Sequence, residues 1–301
     1  MKKVNTPLLL ILFLCLGFCS CQKVITADIE DEKESEKGIE VRFNVVQMEQ
    51  IPFNSGQASR STEVKSICSM INLAIYQAGT KIKQVNQTKS DSDFGSLKVV
   101  LPKGDFKIVI LAHSGQNNPT MTDAQKITFD GKLTDTFYYS QDVTVSENAS
   151  YDLTLKRAVA AFRFMALDTI PTTVSLMRFY YTGGSSTFDA VNGVGCVDSR
   201  QTESINITTD MQNKPGTFEI YTFPRSDSNV LQMQVTAYGP KINIIKQIEF
   251  ADVPITRNQI TVYSGSFFGG KVPGDTTETT ETTHLFSLYT NDEWAVLNKS
   301  Y

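Results

Sequence analysis

The sequence predicts an all-β protein, with two tandem β-sandwich domains behind an N-terminal leader and a short tether. Three observations carry this expectation. Apolar and polar residues alternate with a period of two through much of the chain, the alternating runs are short and bounded by Pro, Gly, Asn and Asp, and no stretch offers a long amphipathic helix.

The leader comes first. Met1-Lys2-Lys3 precedes an apolar run from Leu8, LLLILFLCLGFC. A basic head and an apolar stretch of this size have the proportions of an export signal, whereas spanning a bilayer takes roughly 20 apolar residues. Three of the five cysteines, Cys15, Cys19 and Cys21, crowd into this segment. A metal site would need His or further Cys returning at set spacings, and the two histidines, His113 and His284, lie far away. Small Ser20 before Cys21, with polar Gln22-Lys23 after it, is the order cut by a bacterial lipoprotein signal peptidase, which leaves acyl chains on the cysteine. An ordinary cleaved signal is the alternative. Acyl chains hold a protein to a membrane at about 0.8 kcal/mol per buried CH2. The expectation is therefore a signal over 1–20, a lipid on Cys21, and a charged, aromatic-poor tether over 21–37.

A first sandwich is expected over 38–157. Ile39, Val41, Phe43 and Val45 alternate with Glu40, Arg42 and Asn44, which predicts one buried face and one wet face. Ile71, Leu73 and Ile75 repeat the pattern, and Ala78-Gly79-Thr80 turns the chain into 82–85. Leu97, Val99 and Leu101 lead through Pro102-Lys103-Gly104-Asp105 to Phe106, Ile108 and Ile110, a tight strand connection. Further strands fit 126–129, 137–145 and 151–155. The run AVAAFRFMAL from Ala158 fits a buried strand better than a helix, because Val159, Phe162 and Phe164 suit a pleated surface. It opens a second sandwich over 158–270, with strands at 176–181, 204–208, 217–223, 230–238, 241–250 and 259–268. Residues 271–301 begin as a polar Thr/Glu linker and end in an apolar segment around Trp294. Such a segment docks on its own body, forms a short helix or pairs with another chain.

Chemistry finds little footing. The formal net charge is −4, so no basic face invites nucleic acid. There is no P-loop and no G-x-G-x-x-G. His113 and Ser114 are neighbours, but adjacent residues on a strand point to opposite faces. Ser185-Ser186 read as loop residues. The acidic run 28–36 lacks the ligand spacing and central Gly of a calcium loop. No pair of carboxylates is singled out for glycoside chemistry. The expectation is no metal, no cofactor, no small-molecule substrate and no enzymatic activity. Cys68 and Cys196 read as small buried residues, with a disulfide between them left open.

Five stretches carry a resemblance: DFGSLKVVLPKGDFKIVILAHSG from Asp93, LTDTFYYSQDVTV from Leu133, LKRAVAAFRF from Leu155, FYYTGGSSTFDA from Phe179 and RNQITVYSGSFFGG from Arg257. In this order they resemble the fimbrillin-associated anchor subunits of Bacteroidales type V pili, over most of the chain beyond the leader. The resemblance implies two transthyretin-like sandwiches and a lipid-anchored subunit at the outer membrane, exposed at the cell surface. It would hold or assemble a pilus by β-strand pairing with other fimbrial subunits. It also implies a protease-processing position at Arg60, although a cut there would leave the lipid on the smaller fragment, so a stable anchor is expected to keep Arg60 intact. Asp275-Thr276-Thr277 resembles the O-glycosylation pattern of the same bacteria, with Thr276 as the acceptor, against an unmodified spacer. A surface adhesin or glycan-binding lipoprotein is the alternative. Its aromatic candidates are Tyr138-Tyr139 and Tyr180-Tyr181, of which one member each is expected to face a core.

Overall fold

The computed structural model describes residues 38–49 and 64–270, together with the backbone of Ala295–Val296. Among the described residues, every regular element apart from a four-residue helix, α1 (Val64–Ile67), is a strand. The N-terminal lobe holds β1 (Ile39–Met48), β2 (Met70–Gln77), β3 (Thr80–Thr88), β4 (Ser96–Leu101), β5 (Gly104–His113), β6 (Ile127–Thr128), β7 (Phe137–Val145) and β8 (Ala149–Arg157).

All of these except β6 form one ladder, β3-β2-β5-β7-β8-β1-β4. Between β7 and β8 the pairing is confined to Phe137 with Arg157 and Tyr138 with Lys156, and there the sheet folds over on itself. The two halves enclose an apolar cluster that includes Val41, Phe43, Ile71, Ile108 and Leu155. Alternation in β1 works as the sequence predicts, with Ile39, Val41, Phe43 and Val45 buried. β1 runs antiparallel to β4 and parallel to β8, so an N-terminal strand lies inside the sheet. The Ala78-Gly79 turn is also as expected. Gln77 pairs with Thr80, and φ is 48° at Ala78 and 80° at Gly79. Positive φ at both central residues is the type I′ geometry that matches strand twist.

The C-terminal lobe holds β9 (Ala160–Ala166), β10 (Leu176–Thr182), β11 (Thr187–Asp189), β12 (Val194–Gly195), β13 (Gln201–Asn206), β14 (Gly216–Thr222), β15 (Val230–Tyr238), β16 (Ile244–Pro254), β17 (Gln259–Gly265) and β18 (Ala295–Val296). Two four-stranded sheets, β13-β10-β15-β16 and β14-β9-β17-β18, contribute to a second, aromatic-rich cluster. Phe164 meets Phe179 and Phe267 edge-on at 6.2 and 5.1 Å, the ring geometry that aromatic quadrupoles favour. The run from Ala158 is strand, as its residues suggest.

A third cluster joins the lobes. Ala74, Tyr76, Val109 and Leu111 meet Ala161, Ile260, Val262 and Phe188, and β6 pairs with β11 through Ile127 and Phe188. This corrects the expectation of one wet face along β2 and β5. Residues 71–76 and 108–113 are buried without interruption, because the C-terminal lobe covers their outer side.

The same seam holds a polar network. Arg157, 5% exposed, grips Asp135 with Nε and Nη2, both at 2.8 Å, and donates from Nη1 to Asn258 Oδ1 at 2.8 Å. Its guanidinium stands 4.7 Å from the centre of the Phe137 ring. Arg257 donates to Glu49 Oε2 at 2.7 Å and to the Arg157 carbonyl at 2.8 Å. The ends of β1 and β8 are thereby tied to the turn before β17.

Candidate functional site: a strand-accepting edge

Sheet edges are where β proteins meet other chains, because unpaired N–H and C=O groups there invite a further strand. β17 lies parallel to β9 on one side, in register from Ile260 with Ala161 to Gly265 with Ala166. On its other side it takes β18, also parallel, with Gln259 opposite Ala295 and Ile260 opposite Val296. β18, at Ala295–Val296, lies in the C-terminal segment, and at these two residues that segment adds a strand to its own body.

The exit from β17 is fixed from within. Asp168 is fully buried, and its carboxylate accepts from the backbone N–H groups of Phe267 (2.8 Å), Phe268 (2.7 Å) and Gly270 (3.0 Å) and from Ser266 Oγ (3.0 Å). A buried carboxylate is tolerated only with such a set of donors. The residues SFFGG are thus held as a nest around one side chain, which sets the direction in which the chain leaves the lobe.

The residues considered for catalysis are committed elsewhere. Gly115 N–H donates to His113 Nδ1 at 3.0 Å, so Nε2 carries the proton and donates to Asn72 Oδ1 at 2.9 Å. Asn72 Nδ2 in turn donates to Asn86 and Asn118. Ser114 Oγ donates to the Ile67 carbonyl at 3.1 Å, so the two neighbours form no dyad. Ser185 and Ser186 lie between β10 and β11, but Ser185 is fully buried. Its hydroxyl donates to Thr187 O and accepts from Thr187 N and Val197 N. The glycines before it are required sterically, since a Cβ on Gly183 would strike the Val230 carbonyl and one on Gly184 the Thr222 hydroxyl.

Burial pushes the His113 pKa down to about 4, and protonation would also set an N–H on Nδ1 against the N–H of Gly115. The folded value lies below the ordinary 6.5, so neutral His113 contributes stability that is fully present above pH 6.5 and is lost as pH falls toward 4. The linkage amounts to about 3 kcal/mol. Urea unfolding of wild type against His113→Gln between pH 7 and 4.5 is expected to show the wild-type stability falling more steeply. Parallel profiles would refute it.

The tyrosine pairs build no aromatic platform. Tyr181 is buried and Tyr180 is 36% exposed, as expected for neighbours on a strand. Tyr138 and Tyr139 depart from that expectation, since both are half-buried. Tyr138 packs edge-on against Phe188 in the seam while Tyr139 packs against the N-terminal core. Cys68 is buried and free. Cys196 is also free, but it is exposed, which corrects its reading as a buried residue. No group of three or more His, Cys, Asp and Glu suited to a metal occurs among the described residues. Cys21, Arg60 and Thr276 all lie outside the described residues.

No helix among the described residues is long and apolar enough to cross a membrane. No curated protein matches the chain by sequence. Among solved structures, the chain is similar to a candidate cell adhesion protein from Bacteroides ovatus, at 13% identity and a TM-score of 0.48, covering 87% of this chain and 99% of that one. A fimbrial assembly protein from Parabacteroides distasonis aligns at 9% identity and a TM-score of 0.41, covering 87% and 98%. A candidate polysaccharide-binding protein from Bacteroides thetaiotaomicron aligns at 8% identity and a TM-score of 0.46, covering 75% and 91%. A family model described as a family of unknown function, DUF6562, matches residues 35–279. By that match the chain belongs to the DUF6562 family.

Proposed function

We propose that this chain is a lipid-anchored surface subunit that attaches or helps assemble a pilus on the outer membrane, pairing β-strands with other fimbrial subunits. The observation that carries the reading is the edge of β17, which takes a strand delivered across the Thr/Glu linker. An edge that accepts β18 from its own chain offers the same backbone groups to a strand from a neighbour. The position of β1 agrees with an anchor. Its apolar residues belong to the core and it pairs on both sides, so a tether at Cys21 would pull on an integral strand. A cut at Arg60 would separate β1 covalently while both ladders still held it. In this reading Arg60 stays intact, Thr276 is a linker glycosylation site, 38–157 and 158–270 are two tandem sandwiches joined at the seam, and the role is structural rather than catalytic.

Labelling cells with an alkyne fatty acid is expected to mark the wild-type protein and not Cys21→Ala, and deleting the gene is expected to release pili into the medium. An unlabelled wild-type protein would remove the anchor. Pili that stay attached while adherence to glycans falls would replace this reading with that of a glycan-binding adhesin.

A further inference from the structure

The hairpin between β15 and β16 breaks two rules at one residue. Gly239-Pro240-Lys241-Ile242 form a tight turn closed by Ile242 N–H to Gly239 O at 3.0 Å, and Gly239 N–H donates to Asn243 O at 2.9 Å. Proline suits the second position of such a turn. The residue that follows its centre takes a left-handed conformation and is ordinarily glycine. Here it is Ile242, with φ 58°, a conformation that a β-branched side chain resists. Ile242 is also 75% exposed, and Ile244 beside it is 58% exposed. With so much of its side chain in water, burial gives isoleucine little advantage over glycine at this position. Lys241 and Lys246 flank the pair.

A complementary surface lies at the seam between the lobes. A cavity of about 460 Å³ has Tyr76, Phe106 and Val191 among its apolar lining and Asp105, Asp123 and Asp142 among its charged lining. Lys107 pairs with Asp142 at 2.8 Å, so two further carboxylates leave the site net negative. The cavity sits beside the Ala78-Gly79 turn and the start of β5, where Tyr76 and Ala124 of the seam meet Val191 from the loop after β11. The hairpin tip stands where β15 meets the start of β10, the end of the C-terminal lobe away from the seam. One molecule therefore presents the two surfaces apart, the tip at an end of the C-terminal lobe and the cavity at the seam.

We infer that the Ile242–Ile244 tip docks in the acidic, apolar-floored cavity of a second copy of this chain, with Lys241 and Lys246 facing its aspartates. Tip to cavity is a head-to-tail contact, which extends into a row rather than closing as a pair. Its small area makes it weak, and its ion pairs make it sensitive to salt. It uses neither the lipid nor an exchanged strand, so its failure would leave the proposed function standing.

The test is sedimentation velocity on the full chain kept dispersed in mild detergent. Wild type is expected to form dimers and longer rows as concentration rises, and to lose them in high salt. Ile242→Gly is expected to melt at a higher temperature than wild type and yet to remain monomeric, which separates docking from folding. Val191→Lys, which places a cation in the cavity, is expected to be monomeric too. Mixed together, the two variants retain one intact tip and one intact cavity, and are expected to form a one-to-one pair that grows no further. A wild type that stays monomeric, an Ile242→Gly protein that still associates, or a mixture that stays monomeric would each overturn the inference.

Discussion

Replacing Arg157 by alanine is expected to destabilise the protein by about 3–5 kcal/mol, read as a lower urea midpoint. The loss comes from what the arginine leaves behind. Asp135 would keep its place in the seam without its bidentate partner, and Asn258 Oδ1, in a buried residue held at φ 64°, would lose its donor. Arg157→Lys is expected to recover only part, because an ammonium cannot span both carboxylate oxygens. The pH dependence identifies the cause. Burial already pushes the Asp135 carboxyl up, against the downward pull of Arg157, and removing the arginine raises it further. A raised carboxyl costs stability above its folded-state value and nothing below its unfolded value. The deficit of Arg157→Ala is therefore expected to shrink as pH falls toward the ordinary aspartate range near 4. A deficit constant with pH would mean that lost packing on Phe137, not a stranded charge, carries the effect.

Replacing Asp168 by alanine is expected to cost about 3 kcal/mol, read in thermal or urea unfolding. Hydrogen bonds to a charged acceptor contribute roughly 1.5–3 kcal/mol each, offset here where exposed Gly270 can turn its N–H to water. Asp168→Asn fills the same space but turns an NH2 group toward backbone donors. It is expected to be nearly as damaging as alanine, and full rescue by asparagine would show that shape rather than charge holds the nest. Hydrogen exchange adds a local reading, since the amides of Phe267 and Phe268 are expected to lose protection in both variants before the core strands do.

How much of this was legible in the sequence depends on where each residue finds its partners. β7 and β15 have the bounds expected of them, 137–145 and 230–238, because alternation and flanking turn residues are local signals. The Ala78-Gly79 turn was legible for the same reason. The two-sided burial of β2 and β5 was not, because their second cover comes from the C-terminal lobe and period-two reasoning assumes one wet face. β11 and β12 are two or three residues long; β11 owes its existence to pairing with β6 across the seam and β12 to pairing with β11, so no periodicity announces them. Asp168 sits just after an apolar strand and reads as an ordinary loop aspartate. Its partners are backbone amides about a hundred residues away, which side-chain patterns do not encode. The β17 edge was half legible. An apolar segment behind a linker pointed to docking, but the acceptor strand could come only from the fold.

The placement of β1 has a mechanical consequence. Traction applied at Gly38 acts along a ten-residue strand flanked by β4 and β8. To pull β1 free, both ladders must slide at once, so their hydrogen bonds share the load in shear. A strand at the rim, tugged sideways, would surrender its bonds one at a time like a zipper. Resistance to a steady pull is governed by the rate of unfolding rather than by equilibrium stability. A chain gripped through β1 would therefore hold under tension far longer than its free energy of folding alone would suggest.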